Sequence, residues 1–392
     1  MAYTLYDSST LLFKPGVYKA TKSYFLKPTG ATGCLTQARA TTSGRFNQNG
    51  IVEEDTLAID VPCVDYNGRD PRYCPQLVVD KQRTNHAKDS NDIAGSGTSW
   101  LTTNITIDSQ ITAPNGLTEG NVIQYAGATA DNFRQQNLGL TNGTVYEFVL
   151  WVRIPEGHTG NKYRVRHYDG STTTAIAQPV FDNQGWQRYA YEFTATGVAN
   201  EFISLYNAAG GDVHSGQIAV WGAMVVAKGS HLHIKTTTAA VTRNADTCSY
   251  ANLQSASVFS ATAGTIMADI RLNIGTGNAG VLKIGNSGST NYIEPEGQTI
   301  KLVSGATTQN TGNILTDNGN DEFDGKLAIS WNATSCLISI NGSTADASAL
   351  TSFNPGDYTD LSIRSFVTPS FVRKLAAWNS KLTQDQLNLL TS

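Results

Sequence analysis

The chain has 392 residues and a net charge of −4, and its 15% of charged residues falls well below the roughly 25% usual in globular proteins. Hydrophobic residues make up 40%, enough for folded cores, while 36 Gly and 11 Pro are too few for a collagen-like or low-complexity chain. The acidic balance argues against a general nucleic-acid binder, and the weight of Thr, Ser, Asn and Gly points to strands and turns rather than long helices.

The first ten residues carry neither a basic nor an apolar segment, so no signal peptide is expected and the protein is read as made in a bacterial cytoplasm. The longest apolar stretch, 218–227, is about half the ~20 residues a membrane helix needs, so no membrane span is expected. Residues 1–92 hold short apolar runs broken by polar, turn-rich stretches such as 41–50, an irregular region that would lean on a neighbour for stability.

Residues 93–229 alternate with period two. In Val145-Tyr-Glu-Phe-Val-Leu-Trp-Val-Arg-Ile154, one face carries Tyr146, Phe148, Leu150, Val152 and Ile154, and the other Glu147, Val149, Trp151 and Arg153. Residues 186–193 repeat the pattern with Tyr189, Tyr191 and Phe193 inward, and 218–226 is apolar on both faces, as a central strand would be. Asn142-Gly143 and Asp169-Gly170 supply tight turns, so this unit is predicted to be an antiparallel sandwich. Residues 230–250 look like a connector, and 251–392 form a second strand-rich unit. A helix is predicted only at 383–391, where Thr383 as N-cap and Gln386 three residues on make a capping box. The predicted fold class is all-β: two antiparallel sandwiches behind an irregular N-terminal region, with a short C-terminal helix.

Five cysteines never fall in CxxC spacing, which disfavours zinc. Cys63 and Cys74 flank one short loop, and both a bridge and reduced thiols remain open there. No GxSxG, HExxH or phosphate-loop motif is present, and no cofactor is expected. Glu53-Glu54-Asp55 and Asp321-Glu322…Asp324 are acidic clusters whose neighbours on a strand point to opposite faces, so both read as solvated turns rather than catalytic pairs. His231 and His233 read as a surface pair. No metal site is expected. The nearest approach is the oxygen-rich run 317–324, where Asp317, Asp321 and Asp324 offer ligands for a structural Ca²⁺ but Gly319 stands where an EF-hand-type loop needs its second ligand.

Sugar binding asks for something else: aromatics on the solvent face of a strand, with polar groups around them for the hydroxyls. The alternation places Trp151 and Arg153 outward on one strand and Trp186 and Arg188 outward on another. With Tyr163, Val165 and His167 inward, Arg164, Arg166 and Tyr168 face out on a third. If the three strands share a sheet, these seven residues form a basic, aromatic face suited to an acidic polysaccharide. The competing reading makes the tryptophans scaffold, covered by other parts of the protein.

Several segments resemble adsorption proteins of tailed bacteriophages, the tail-fibre and head-spike group. Pro75-Gln-Leu-Val-Val-Asp-Lys-Gln-Arg-Thr-Asn85 is similar to that group's LLVE-x-x-RTN segment, Phe148–Arg153 to its FSVWVK strand, and Gly185-Trp-Gln-Arg to its GWYR segment. Ala219-Val-Trp-Gly-Ala resembles its VWGAQLE strand, and residues 237–246, ending Val-Thr-Arg-Asn-Ala-Asp, its VTRAAD connector. Cys63, Asp80 and Met224 depart from that pattern. The final third resembles laminin-G or concanavalin-A-like lectin domains through Lys326-Leu-Ala-Ile-Ser-Trp331, Leu337-Ile-Ser-Ile-Asn-Gly342 and 373–383. The resemblance implies a virion-surface component, a fibre or spike, with a jelly-roll carbohydrate-binding-type unit and a lectin-like unit. It implies host glycan as partner, other virion subunits as partners of the N-terminal region, and a homo-oligomer, with a trimer expected by analogy. A structural virion connector and a glycan depolymerase are the alternatives.

Overall fold

The computed structural model describes the chain except residues 1, 16–17, 20–21, 25–33, 67–74, 94–98, 128–131, 159–160, 183–184, 210–211, 214, 230–231, 254–255, 276–281, 286–290, 306, 312–314, 317–321, 351–352 and 366–368. The described residues form antiparallel sheets with little helix, gathered into two compact units. No described helix is long and apolar enough to cross a membrane.

One unit comprises Met1–Thr42, Leu57–Lys81 and Asn244–Ser392. Its eight-stranded sheet centres on Ala263–Asn273, paired on one side with Glu322–Asn332 and on the other with Ser370–Trp378. Alternation along the central strand sends Ile266, Ala268, Ile270 and Leu272 into the core between this sheet and a nine-stranded one. Met267 points the other way, where it meets Ala328, Ala376 and the apolar side of the C-terminal helix Gln384–Thr391, through Leu387 and Leu390. That helix starts with the expected capping box between Thr383 and Gln386. A second short helix, Ala2–Asp7, was not foreseen.

The expectation of a separate region over 1–92 does not hold. Leu11–Phe13 pairs with Ser370–Trp378, and Gln76–Val79 lies between that strand and Cys63–Asp65. Cys34–Ala38 pairs with Thr247–Tyr250 in the other sheet. The apolar runs that looked too short to stand alone are strands of a distant sandwich, and Phe13 and Leu77 are fully buried in its core. Residues 43–56 and 82–92 belong to the other unit. Residues 230–250 are no free connector either: Val241–Arg243 pairs with Arg83–Asn85, and Thr247–Tyr250 sits inside the nine-stranded sheet.

The other unit, Ser43–Thr56 and Gln82–Arg243, is a sandwich of two five-stranded sheets. The first sheet runs in the order Ile105–Thr112, Thr118–Ala126, Ser215–Ala227, Val145–Arg153, Gln187–Thr194. The second runs Trp100–Thr103, Asn132–Gln136, Phe202–Tyr206, Arg164–Tyr168, Thr173–Ala177. The predicted inward set of Val145–Arg153 is in the core between them, together with Val165, Ile203 and Leu205. Ser215–Ala227 is the central strand its two apolar faces suggested. A bulge resets its phase: Ile218 and Val220 point inward before Gly222, Ala223 and Val225 after it. Gly222 has φ +65°, and a Cβ there would stand 2.8 Å from Trp151 Cδ1, so no other residue fits without displacing the indole.

Phe13→Ala should destabilise the first unit by about 3–5 kcal/mol, read in a denaturant melt, because it opens a cavity in a core that the C-terminal third cannot close alone. Deletion of residues 1–42 should leave that unit insoluble.

Candidate functional site

The seven residues proposed from the sequence fall on two sheets, not one. Trp151, Arg153 and Arg188 lie on the first sheet, with Trp186 immediately before the strand Gln187–Thr194; Arg164, Arg166 and Tyr168 lie on the second. Alternation assigns each side chain to a face but does not say which strands are neighbours, and Arg164–Tyr168 pairs with Phe202–Tyr206 and Thr173–Ala177 instead.

The outer face of the first sheet is covered by its own chain. The paired strands Ser43–Phe46 and Val52–Leu57 bring Phe46 to 5.7 Å from Trp151 and Val52 into the same cluster, with Trp221 at 6.4 Å on the other side. Trp151 is left 8% exposed and Trp221 fully buried. Further along, Val149, Met224 and Val226 are sealed by Ile234. Trp186 is half-buried; its indole N–H donates to the Thr112 carbonyl at 2.8 Å, and its ring rests on Gly120, where a Cβ would come within 2.7 Å. These tryptophans are scaffold.

A polar network fastens the covering hairpin. Glu54 accepts from Asn91 (2.5 Å) and Lys235 (3.1 Å) and lies 3.2 Å from His233 Nε2. Asn91 and Asn115 each also donate to Glu119 at 3.0 Å, tying the two carboxylates together. Burial pushes the Glu54 carboxyl up, but the hydrogen bonds and charge of His233, with those from Asn91 and Lys235, outweigh it and hold the group down at about 2. The reading of Glu53-Glu54-Asp55 as a solvated turn is therefore corrected: Glu54 is buried on a strand, and Glu53 pairs with Arg45 at 2.7 Å. His233 is likewise buried rather than a surface residue, its ring centre 4.7 Å from that of Trp221; His231 lies outside the described residues.

The second sheet presents a different face. Val165 and His167 point inward, His167 at 2.7 Å from the buried Glu201, which also accepts from the backbone of Thr196 and Gly197. Arg164, Arg166 and Tyr168 point outward and stay partly exposed. Across the ladder, Arg166 faces Ser204 and Tyr168 faces Phe202, while Arg134 faces Ser204 from the other side. The Arg166 guanidinium lies 3.9 Å above the Tyr206 ring, Arg134 is 5.2 Å from the Phe202 ring, and Tyr168 stacks on Phe202 at 4.9 Å. Arg134 Nε, Arg164 Nε and Ser204 Oγ are buried without a hydrogen-bond partner. Unpartnered polar atoms cost about 1–3 kcal/mol each.

Arg134, Phe202, Ser204 and Tyr206 were not among the residues singled out. The signal existed: in Phe202-Ile-Ser-Leu-Tyr206, burying Ile203 and Leu205 turns Phe202, Ser204 and Tyr206 outward.

Of the calcium candidates, Asp317 and Asp321 lie outside the described residues. Asp324 Oδ1 accepts from Arg373 at 2.6 Å and Glu322 is paired with Arg271, so these two described members of the acidic cluster lie on a strand in ion pairs rather than in a turn. No group of three metal-ligating side chains is assembled among the described residues. Cys63 is buried on a strand; Cys74 lies outside the described residues, and with it the question of a bridge.

No family model and no curated protein matches the chain. Among solved structures, it is similar to the CBM22-1 xylan-binding domain of Xyn10C from Paenibacillus barcinonensis, at 8% identity and TM-score 0.29, over 39% of this chain and 94% of that one. It is also similar to the CBM22-1–GH10 modules of xylanase 10B from Clostridium thermocellum, at 15% identity and TM-score 0.28, over 40% of this chain and 30% of that one. A third is the binding domain of botulinum neurotoxin DC, at 13% identity and TM-score 0.29, over 38% and 40%. At such TM-scores the likeness carries no functional argument.

Trp151→Ala should lower stability by about 3–5 kcal/mol in a denaturant melt, the cost of removing a packed core aromatic. Glu54, whose ordinary value is 4.5, stabilises the folded protein fully above that value and loses its contribution as pH falls towards about 2. The melting temperature should therefore drop between about pH 5 and about pH 3, and Glu54→Gln should flatten part of that drop while lowering stability at neutral pH.

Proposed function

We propose that this protein is a non-enzymatic adsorption component of a tailed-bacteriophage virion, a fibre or spike, whose second five-stranded sheet binds host surface glycan on its outer face. The observation that carries the binding reading is that face itself: three arginines, two of them set over aromatic rings, and one aromatic stack on adjacent strands. Stacked aromatics with hydrogen-bonding groups between them are what pyranose rings and hydroxyls require.

The virion assignment rests on the motif order along the chain, and the structure gives those motifs a common purpose. Arg83 of the RTN segment donates to the carbonyls of Ala227, Lys228 and Gly229 at 2.7–3.1 Å, closing the end of the WGA strand. Asn85 donates to Ala223 and Ile234 and accepts from Val225. The VTR segment is the strand paired with RTN. Motifs distant in sequence thus meet in one clasp, which favours a shared module over chance similarity. Other virion subunits and a trimeric assembly at the virion surface belong to the same proposal, but not through a detachable N-terminal arm, since residues 1–42 and 57–81 belong to one compact unit with 244–392.

The non-enzymatic reading is supported by Glu54 and Glu119. They are bridged by shared amide donors, yet Glu54 is held at about 2 by His233 and Lys235, far from the raised value a general acid needs.

In a glycan array on purified protein, a defined set of oligosaccharides should be retained. Tyr168→Ala should weaken the best of them about fivefold, the worth of one aromatic stack, with little change in melting temperature. Retention unaffected by this change and by Tyr206→Ala would move the binding face elsewhere.

A further inference from the structure

Resting on that reading, we infer that the glycan bound by this face is acidic, an oligosaccharide whose carboxylates are taken by Arg134 and Arg166 on either side of Ser204. In the ladder Arg134 faces Ser204 and Ser204 faces Arg166, so the two arginine backbones stand about 10 Å apart, two strand spacings, with one small hydroxyl between them. From there the guanidinium groups lean opposite ways along the strand, Arg166 towards Tyr206 and Arg134 towards Phe202, so the two charges stand apart on either side of that hydroxyl.

The rings on this face serve first as seats for guanidinium groups. Arg166 lies 3.9 Å over Tyr206 and Arg134 5.2 Å over Phe202. A guanidinium over a ring keeps its charge, and its planar fork of N–H donors suits a carboxylate, which it grips with two parallel bonds. Arg164 faces Tyr206 across the ladder and adds a third charge one step along. The outward positions on these strands carry no Asp or Glu, and among the described residues none of the three guanidinium groups is paired with a carboxylate. A chain with net charge −4 has thus gathered three uncompensated cations on one sheet face.

The donor balance points the same way. Arginine donates and cannot accept. A neutral sugar offers hydroxyls that need acceptors as much as donors. A uronate chain offers acceptor-only groups at regular intervals, which this face can satisfy.

The test is titration calorimetry on the full chain with oligogalacturonate and with neutral galacto-oligosaccharide of matched length, at low and high NaCl. The acidic oligosaccharide should bind at least about tenfold more tightly at low salt, with the gap narrowing as salt screens the charges. Arg134→Gln and Arg166→Gln should each remove most of that preference, and Arg166→Lys should restore it only in part, because an ammonium cannot make the paired bonds. Arg188→Gln, on the other sheet, should change nothing, and melting curves identify any variant that fails to fold. Equal binding of both oligosaccharides, indifferent to the arginine substitutions, would overturn the acidic inference while leaving a glycan face. Binding of neither, with Tyr168→Ala silent on the array, would overturn the glycan reading and this inference with it.

Discussion

Burying Trp151 and Trp221 beneath the hairpin of Ser43–Phe46 and Val52–Leu57 decides which side of the middle sandwich is left to meet a ligand. A sheet with apolar residues on both faces must be covered on both, and the first sheet is: its inner face by the second sheet, its outer face by the hairpin and Ile234. The second sheet carries a mixed outer face, where Arg134, Arg164, Arg166 and Ser204 stand among Tyr168, Phe202 and Tyr206. The proposed binding face is this mixed surface, with arginines set over rings.

The hairpin must be fixed firmly for this division to hold. Apolar contact from Phe46 and Val52 supplies the driving force, and the Glu54–His233–Lys235–Asn91 network supplies direction. Such a network is costly to leave half-made: removing one partner strands a buried charge, whereas the full set offsets its desolvation. The same logic operates in the other unit, where Arg39 and Asp246, both fully buried, pair at 3.0 Å. There Arg39 also donates to the carbonyls of Thr41, Ala58 and Val61, and Asp246 accepts from the Asp80 backbone.

Period-two alternation was a sound guide to burial. It assigned Tyr146, Phe148, Leu150, Val152, Ile154, Val165 and His167 to the interior, and the capping box at Thr383 formed as read. It failed at two points for one reason: it is a local signal. Outward was taken to mean exposed, but Trp151 faces outward and is roofed by residues a hundred positions earlier. Strand neighbours are likewise set by long-range pairing, so Arg166 was grouped with Trp151 when its partners are Ser204 and Tyr206. The short strands Leu11–Phe13 and Gln76–Val79 carry too little pattern to announce a partner strand near residue 372.

The residues that carry the phage resemblance and the residues that face the proposed ligand are different sets. Arg83, Asn85, Trp221, Gly222 and Arg243 hold the middle unit's covered sheet and its clasp, and Asp246 anchors a buried ion pair in the other unit. None of them lies on the strands Asn132–Gln136, Arg164–Tyr168 and Phe202–Tyr206, which carry the arginine face and no recognised motif. The motifs accordingly report on how the scaffold closes, and say nothing about what it binds. A scaffold fixed from one sheet leaves the outward positions of the other outside the core cluster. Proteins built on the same clasp can then differ in ligand by exchanging a handful of outward residues. In this chain those positions are filled by arginine over aromatic rings, and it is that choice, not the fold, that would set an acidic glycan apart from a neutral one.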